Sequence, residues 1–151
     1  MRIRPMVPED HAALLALWRT FPGNALTGAD DREEFISFLH MNRDLCFVLE
    51  EDGRVAGSVM AGQDGRRGYV YHLAVRADLQ GTGAGKALMM EVESALATAG
   101  IEKAHLFIFS DNPAIGFYEK LGWHLRGDIE VMSKVLSGPD PYVGTRTGME
   151  D

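Results

Sequence analysis

Leu14, Leu17 and Trp18 recur at i, i+3 and i+4 behind the alternating stretch Arg2-Ile3-Arg4, so the chain opens as a strand followed by a helix. Pro22, Gly23, Asn24 and Gly28 mark the next segment as a loop. Asp30 with Glu33 then forms a capping-box pattern ahead of Phe35, Phe38 and Leu39, which predicts a second helix. The apolar runs Leu45 to Glu50 and Val55 to Ala61 flank Asp52-Gly53 and predict a hairpin. Past the turn residues Asp64 to Gly68, Tyr69 to Val75 is rich in β-branched and aromatic residues and reads as a central strand. Leu88, Val92, Ala95, Leu96 and Ala99 keep helical spacing from Gly83 to Ala99, and Gly100 stands where a helix would end. Lys103 to Phe109 is the next strand. Asn112 and Pro113 offer an N-cap and a first helical residue, and Ala114, Phe117 and Leu121 form the face of a helix that stops at Gly122. Trp123 to Arg126 and Ile129 to Leu136 are expected as two short closing strands. The order predicts an α/β (α+β) single domain, with a mixed, mostly antiparallel twisted sheet of about seven strands, about four helices and one central β-α-β crossover. The domain is expected to span residues 1–136, and the Gly- and Pro-containing stretch 137–151 to form a flexible tail.

Composition narrows the function. With 151 residues the chain can bury a core without a metal or disulfide staple. Cys46 is the only cysteine, so no intrachain disulfide can form, and no Cys/His spacing suits a metal. No apolar stretch approaches the roughly 20 residues that span a bilayer, and Met1 to Pro5 carries no signal-like apolar region. A cytoplasmic protein without a membrane partner is expected. The net charge of -7 and the lack of a basic run disfavour nucleic acid and weakly favour a cationic acceptor.

Gln80-Gly81-Thr82-Gly83-Ala84-Gly85 lies between a strand and a helix, where backbone N–H groups can converge on a phosphate at the positive end of the helix dipole. The nucleoside-triphosphate loop pattern fails, because Gln80 replaces its first glycine and Ala87 its hydroxyl. The dinucleotide pattern fails as well, its third glycine falling on Lys86 or Leu88.

What remains, Q-x-x-G-x-G at a strand-to-helix junction, resembles motif A of the GNAT superfamily of acyl-CoA-dependent N-acyltransferases. Leu73-Ala74-Val75 precedes it as the family's motif-A strand does. The stretch from Asn112 to Trp123 resembles motif B, with the alanine shifted by one residue. Val55 to Gly62 and Asp64 to Gly68 add a likeness to the small bacterial YpeA-like branch. The resemblance implies an N-acetyltransferase that moves an acetyl group from acetyl-CoA, without a metal, to a primary amine of a small molecule or peptide by direct attack in a ternary complex. It implies that the backbone from Gln80 through Gly81, Thr82, Gly83 and Ala84 to Gly85 holds the pyrophosphate. Leu73, Ala74 and Val75 would pair with the pantetheine arm, and a free N–H there would serve as oxyanion hole. Lys86 and Arg76 are candidates for the outer phosphate, Asn112 for the cofactor arm, and Tyr118 for the general acid.

The general base stays open among His72, a tyrosine of the central strand and a water chain, with Glu50, Glu51 and Asp128 as outlying carboxylates. His11, His40, His105 and His124 read as surface or half-buried side chains. The acceptor pocket is expected between Trp18 and Asn42 and at the late strands. Oligomeric state is open, a homodimer included. A non-catalytic acyl-CoA sensor and a module for another nucleotide are the competing functions.

Overall fold

The computed structural model describes residues 1–22 and 26–139. A five-stranded sheet forms in the order β1 (Arg2–Pro5), β2 (Cys46–Glu51), β3 (Arg54–Gln63), β4 (Gly68–Val75), β5 (Ala104–Leu106). The first four strands are antiparallel neighbours and β5 runs parallel to β4. The helices are α1 (His11–Trp18), α2 (Arg32–Met41), α3 (Ala84–Thr98) and α4 (Ile115–Lys120), and α3 makes the crossover from β4 to β5.

Each face of the sheet carries its own core. On one, Leu88, Met89, Val92 and Leu96 of α3 pack against Leu49, Val59, Ala61, Val70 and Val75, with Phe117, Tyr118 and Trp123 at the margin. On the other, Leu14, Leu17 and Trp18 of α1 and Phe35 of α2 cover Cys46, Val48, Met60 and Ala74. Trp18, Leu14, Val48, Leu88 and Val92 are sealed from solvent, and burial of each apolar side chain contributes roughly 1.5–3 kcal/mol. The Asp52-Gly53 turn takes positive φ at both residues, and Gly100 ends α3 at φ +86° with the Ile101 N–H on Leu96 O.

The sheet departs from regularity where it matters. Ser58 pairs with Ala74 and Met60 with Tyr71, so three steps along β4 face two along β3. The extra residue is His72, at φ +49°, and such a β-bulge re-aims side chains. Beyond Val70 opposite Leu106, β4 and β5 part, leaving Tyr71 to Val75 without a neighbouring strand on that edge among the described residues.

Two expectations need correction. The closing strands at Trp123 to Arg126 and Ile129 to Leu136 do not form, so the described residues hold five strands rather than about seven. β5 ends at Leu106 and presents no longer edge to pair with. Trp123 is pinned on α3 instead, its indole N–H donating to Glu93 Oε1 at 2.7 Å and its backbone N–H to Tyr118 O. Nor does Asp30 begin α2. Thr27 and Asp30 form a capping box around a single 3₁₀ turn, Gly28–Asp30, and α2 starts from Asp31. The expected tail lies, from residue 140 on, outside the described residues.

Candidate active site

The end of β4 and the start of α3 make the frame. Arg76 N–H donates to Ala56 O at 2.8 Å, so that amide points to β3. Amides alternate along an extended strand, and those of Val75 and Leu73 therefore point toward the gap. Val75 O confirms the alternation by accepting from Gln80 Nε2 at 3.0 Å. A peptide-like chain entering the gap would meet the free edge of a strand.

Gly81 and Gly83 have φ of +77° and +89°, and Gly83 is the residue from which α3 starts. A β-carbon there would oppose the left-handed backbone, and both glycines are exposed. The first-turn amides of Ala84, Gly85 and Lys86 have no intrahelical carbonyl to reach. Gln80 fastens this loop more than it lines it, since its own N–H goes to Ala77 O at 3.3 Å and its side chain to β4. The Thr82 hydroxyl turns back to Leu79 O at 2.5 Å. Gly85 allows α4 to approach, because a β-carbon there would lie 3.2 Å from Phe117 Cζ.

Phe117 brings Tyr118 with it. The Tyr118 ring sits 5.1 Å from Phe117 and 6.4 Å from Trp123, and burial pushes its phenol up to about 12. Asn112 Oδ1 accepts from Ala114 N at 2.8 Å, which caps the turn leading into α4, so that the helix begins at Ile115 behind Ala114 and not at Pro113 behind Asn112 as expected. Its amide NH₂ has no partner among the described residues.

On the opposite face the bulge turns the His72 imidazole toward α1. It stacks on the Trp18 indole at 4.0 Å with planes 15° apart, and its Nε2 lies 2.7 Å from Asp30 Oδ1. Asp30 Oδ2 also accepts from Thr27 N–H at 3.0 Å, and Asp30 O lies 2.8 Å from His11 Nε2. Burial raises the Asp30 carboxyl, but the hydrogen bonds from His72 and Thr27 and the nearby imidazoles of His72 and His11 outweigh it, holding the carboxyl below the usual range. Ser58 Oγ donates to His72 O at 2.7 Å and accepts from Trp18 Nε1 at 2.9 Å.

The profile of the Acetyltransferase (GNAT) family matches residues 11–123. The chain belongs to the GNAT acetyltransferase family. An acetyltransferase of Pectobacterium atrosepticum is 40% identical over 123 residues, covering 80% of this chain and 86% of the relative. One of Sodalis glossinidius is 34% identical over 94% of this chain and its own whole length. In structure, PaiA N-acetyltransferase of Thermoplasma acidophilum, solved with coenzyme A, gives a TM-score of 0.71 at 17% identity over 83% of this chain and 90% of the other. Glucosamine-6-phosphate N-acetyltransferase of Arabidopsis thaliana gives 0.65 at 24% identity over 90% and 98%. The protein is thus a GNAT enzyme, an acetyl-group transferase with the GNAT α/β fold.

Within this GNAT acetyltransferase the remaining sequence candidates sort by their partners. Arg76 is engaged by Asp78 at 2.6 Å and Glu51 at 2.5 Å, whereas Lys86, exposed on the first turn of α3, is a cation beside the loop with no ion-pair partner among the described residues. Glu50 is held by Arg4 and Arg2, and Asp128 by Arg126. His11 is buried rather than at the surface. Asp30 reads in the sequence only as a helix cap, His11, Trp18 and Ser58 carry no motif, and nothing in the sequence ties the four to His72. Among the described residues no helix is long and apolar enough to cross a membrane.

Proposed function

We propose that the protein transfers the acetyl group of acetyl-CoA to a primary amine of a small molecule or peptide, by direct attack in a ternary complex. The observation that carries this reading is the free edge of β4, followed across the 3₁₀ turn Ala77–Leu79 by a helix start with two left-handed glycines. A phosphate needs such a cradle, and a pantetheine arm, itself a chain of amides, needs such an edge. Amides from Gly81 to Gly85 hold the pyrophosphate, and Lys86 neutralises the outer phosphate. Leu73, Ala74 and Val75 orient the arm, and the Leu73 N–H stabilises charge on the thioester oxygen. Asn112 fixes the turn beside it and offers its NH₂ to the arm. Tyr118 donates a hydrogen bond to the departing sulfur. The likeness of Val55 to Gly62 to the YpeA-like branch supports a small bacterial enzyme of this kind, with residues 1–136 as the working unit.

Calorimetry of the wild type and Gly83→Val with acetyl-CoA, CoA, ATP and NAD tests this reading. Acetyl-CoA and CoA should bind the wild type, with ATP and NAD silent, and a folded Gly83→Val should lose that binding. Undiminished binding in the variant would remove the phosphate site. Tight acetyl-CoA binding without thiol release on a panel of amines would identify a sensor instead.

A further inference from the structure

We propose that Asp30 and His72 form the base that takes the proton from the incoming ammonium group, an assignment that rests on the acetyl-transfer reading above and adds the residues it leaves unnamed. A carboxylate only accepts hydrogen bonds. With Asp30 Oδ1 2.7 Å from His72 Nε2, a neutral ring carries its proton on Nε2 and its lone pair on Nδ1. No described residue bonds Nδ1, it is not a sealed atom, and the His72 side chain keeps 15% of its surface exposed. This is the neutral tautomer an acid–base catalyst requires, fixed by a third group.

The bulge supplies the position. Val70 faces the α3 side and Tyr71 the α1/α2 side, so regular alternation would return residue 72 to the α3 side. The left-handed turn at His72 keeps it with Tyr71 instead, and the chain from Trp18 Nε1 through Ser58 Oγ to His72 O fixes that backbone. Tyr118 lies on the α3 side together with Leu73, which follows His72 on the stretch of β4 beyond its last pairing with β5. Proton acceptor and sulfur-side donor thus stand on opposite faces of the sheet, each free to serve its own reacting atom.

The titratable groups around the imidazole are Asp30 on the turn before α2, His11 of α1 behind it, and Tyr71 beside it on β4. Once protonated, His72 is stabilised by the Asp30 carboxylate and by the Trp18 face. The step balances. R–NH₃⁺ gives a proton to Nδ1, the freed lone pair forms the C–N bond, and the C–S bond breaks with its electron pair on sulfur. The nitrogen, now bonded to carbon, loses a second proton, which ends on sulfur, His72 releases the first to solvent, and the products are the N-acetyl amine, CoA-SH and H⁺.

The test compares n-propylamine, an ammonium at pH 7, with hydroxylamine, which is already neutral there. Asparagine tolerates the left-handed backbone of position 72. His72→Asn should lower kcat/KM for propylamine by about 10²–10⁴ and lower it far less for hydroxylamine, so the ratio of the two falls by about 10². Wild-type kcat/KM for propylamine should rise with pH along an imidazole limb that vanishes in His72→Asn. In Asp30→Asn, a positioning change, the limb should move to lower pH. ¹⁵N spectra of the unliganded wild type should show His72 protonated on Nε2 when neutral. An unchanged acceptor ratio, an unmoved limb, or a proton on Nδ1 overturns the pair alone. A wild type that binds no acetyl-CoA overturns the donor assignment and this role with it.

Discussion

A phenol held at about 12 stays protonated at neutral pH, and it is also a weak acid. A free thiol titrates near about 8.5, so full proton transfer from Tyr118 to a thiolate would run uphill by roughly 5 kcal/mol at 1.36 kcal/mol per unit. Hydrogen bonding to the departing sulfur is the role its burial permits. Tyr118→Phe keeps the ring against Phe117 and Trp123 and removes only the hydroxyl. The expected result is a kcat lower by about 10²-fold, acetyl-CoA affinity within about twofold, and no loss of the imidazole limb in the pH profile. Equal rates in thiol-release kinetics would strip Tyr118 of any chemical role. Cys46 is simpler. Burial pushes its thiol up to about 12, and only a thiolate reacts. A thiol reagent should therefore leave native protein unlabelled over the course of an assay and modify Cys46 after unfolding, which keeps released CoA distinguishable from the enzyme's own sulfur.

The bulged strand is the element on which the site depends, and Ser58 is its fastening. The hydroxyl is buried with both of its bonds made, one to Trp18 and one to the carbonyl of His72. Ser58→Ala leaves a buried indole N–H and a carbonyl without that partner, and each such loss costs about 1–3 kcal/mol. Urea unfolding should show about 2–6 kcal/mol of destabilisation. The folded fraction should keep its acetyl-CoA affinity and lose kcat, because the phosphate loop is on the other side of the sheet. Equal losses of affinity and kcat would show that the bulge serves the whole fold rather than the base. The same strand marks how far pattern reading reaches. Tyr69 to Val75, the helix ending at Gly100 and the Asp52-Gly53 turn are local devices, written in periodicity and in residues that accept positive φ, and the fold places them where the pattern does. The loop motif was legible for the same reason. A bulge is one residue of register against a neighbouring strand, and nothing in Tyr71-His72-Leu73 records what β3 will do. Asp30 and His72 are 42 positions apart, and Asp30 reads equally well as a helix cap. The alternation from Ile129 to Leu136 has the look of a strand, but a strand needs an edge, and β5 stops after three residues.

At the scale of the molecule, folding and acid–base chemistry meet in carboxylates that are charged inside the fold. Asp10 is 7% exposed, accepts from both terminal nitrogens of Arg4 at 2.9 and 2.8 Å and from Val7 N–H at 2.9 Å, and ties β1 to the start of α1. Burial raises its carboxyl, but the Arg4 and Val7 hydrogen bonds and the Arg4 charge outweigh it, leaving it below the usual range. Asp30 is shifted in the same direction. A carboxyl with a lowered folded pKa binds fewer protons folded than unfolded, so its stabilisation is complete above the unfolded value of about 3.9 and drains away as pH falls through the folded one. Stability should therefore be level from neutrality to about pH 5 and drop below pH 4. Asp10→Asn breaks the pair while Arg4 keeps Glu50 at 2.6 Å, so the cost at pH 7 should be about 2 kcal/mol, under the full cost of stranding a buried charge. That gap should narrow as pH falls below 4, because wild-type Asp10 then becomes neutral as well. Arg126→Ala, which removes an exposed pair with Asp128, should leave the urea midpoint unchanged at pH 7. Urea titrations of the wild type and both variants at pH 7, 5, 4 and 3 decide it. A gap for Asp10→Asn that stays constant across that range would mean that the carboxylate's shape, and not its charge, joins β1 to α1.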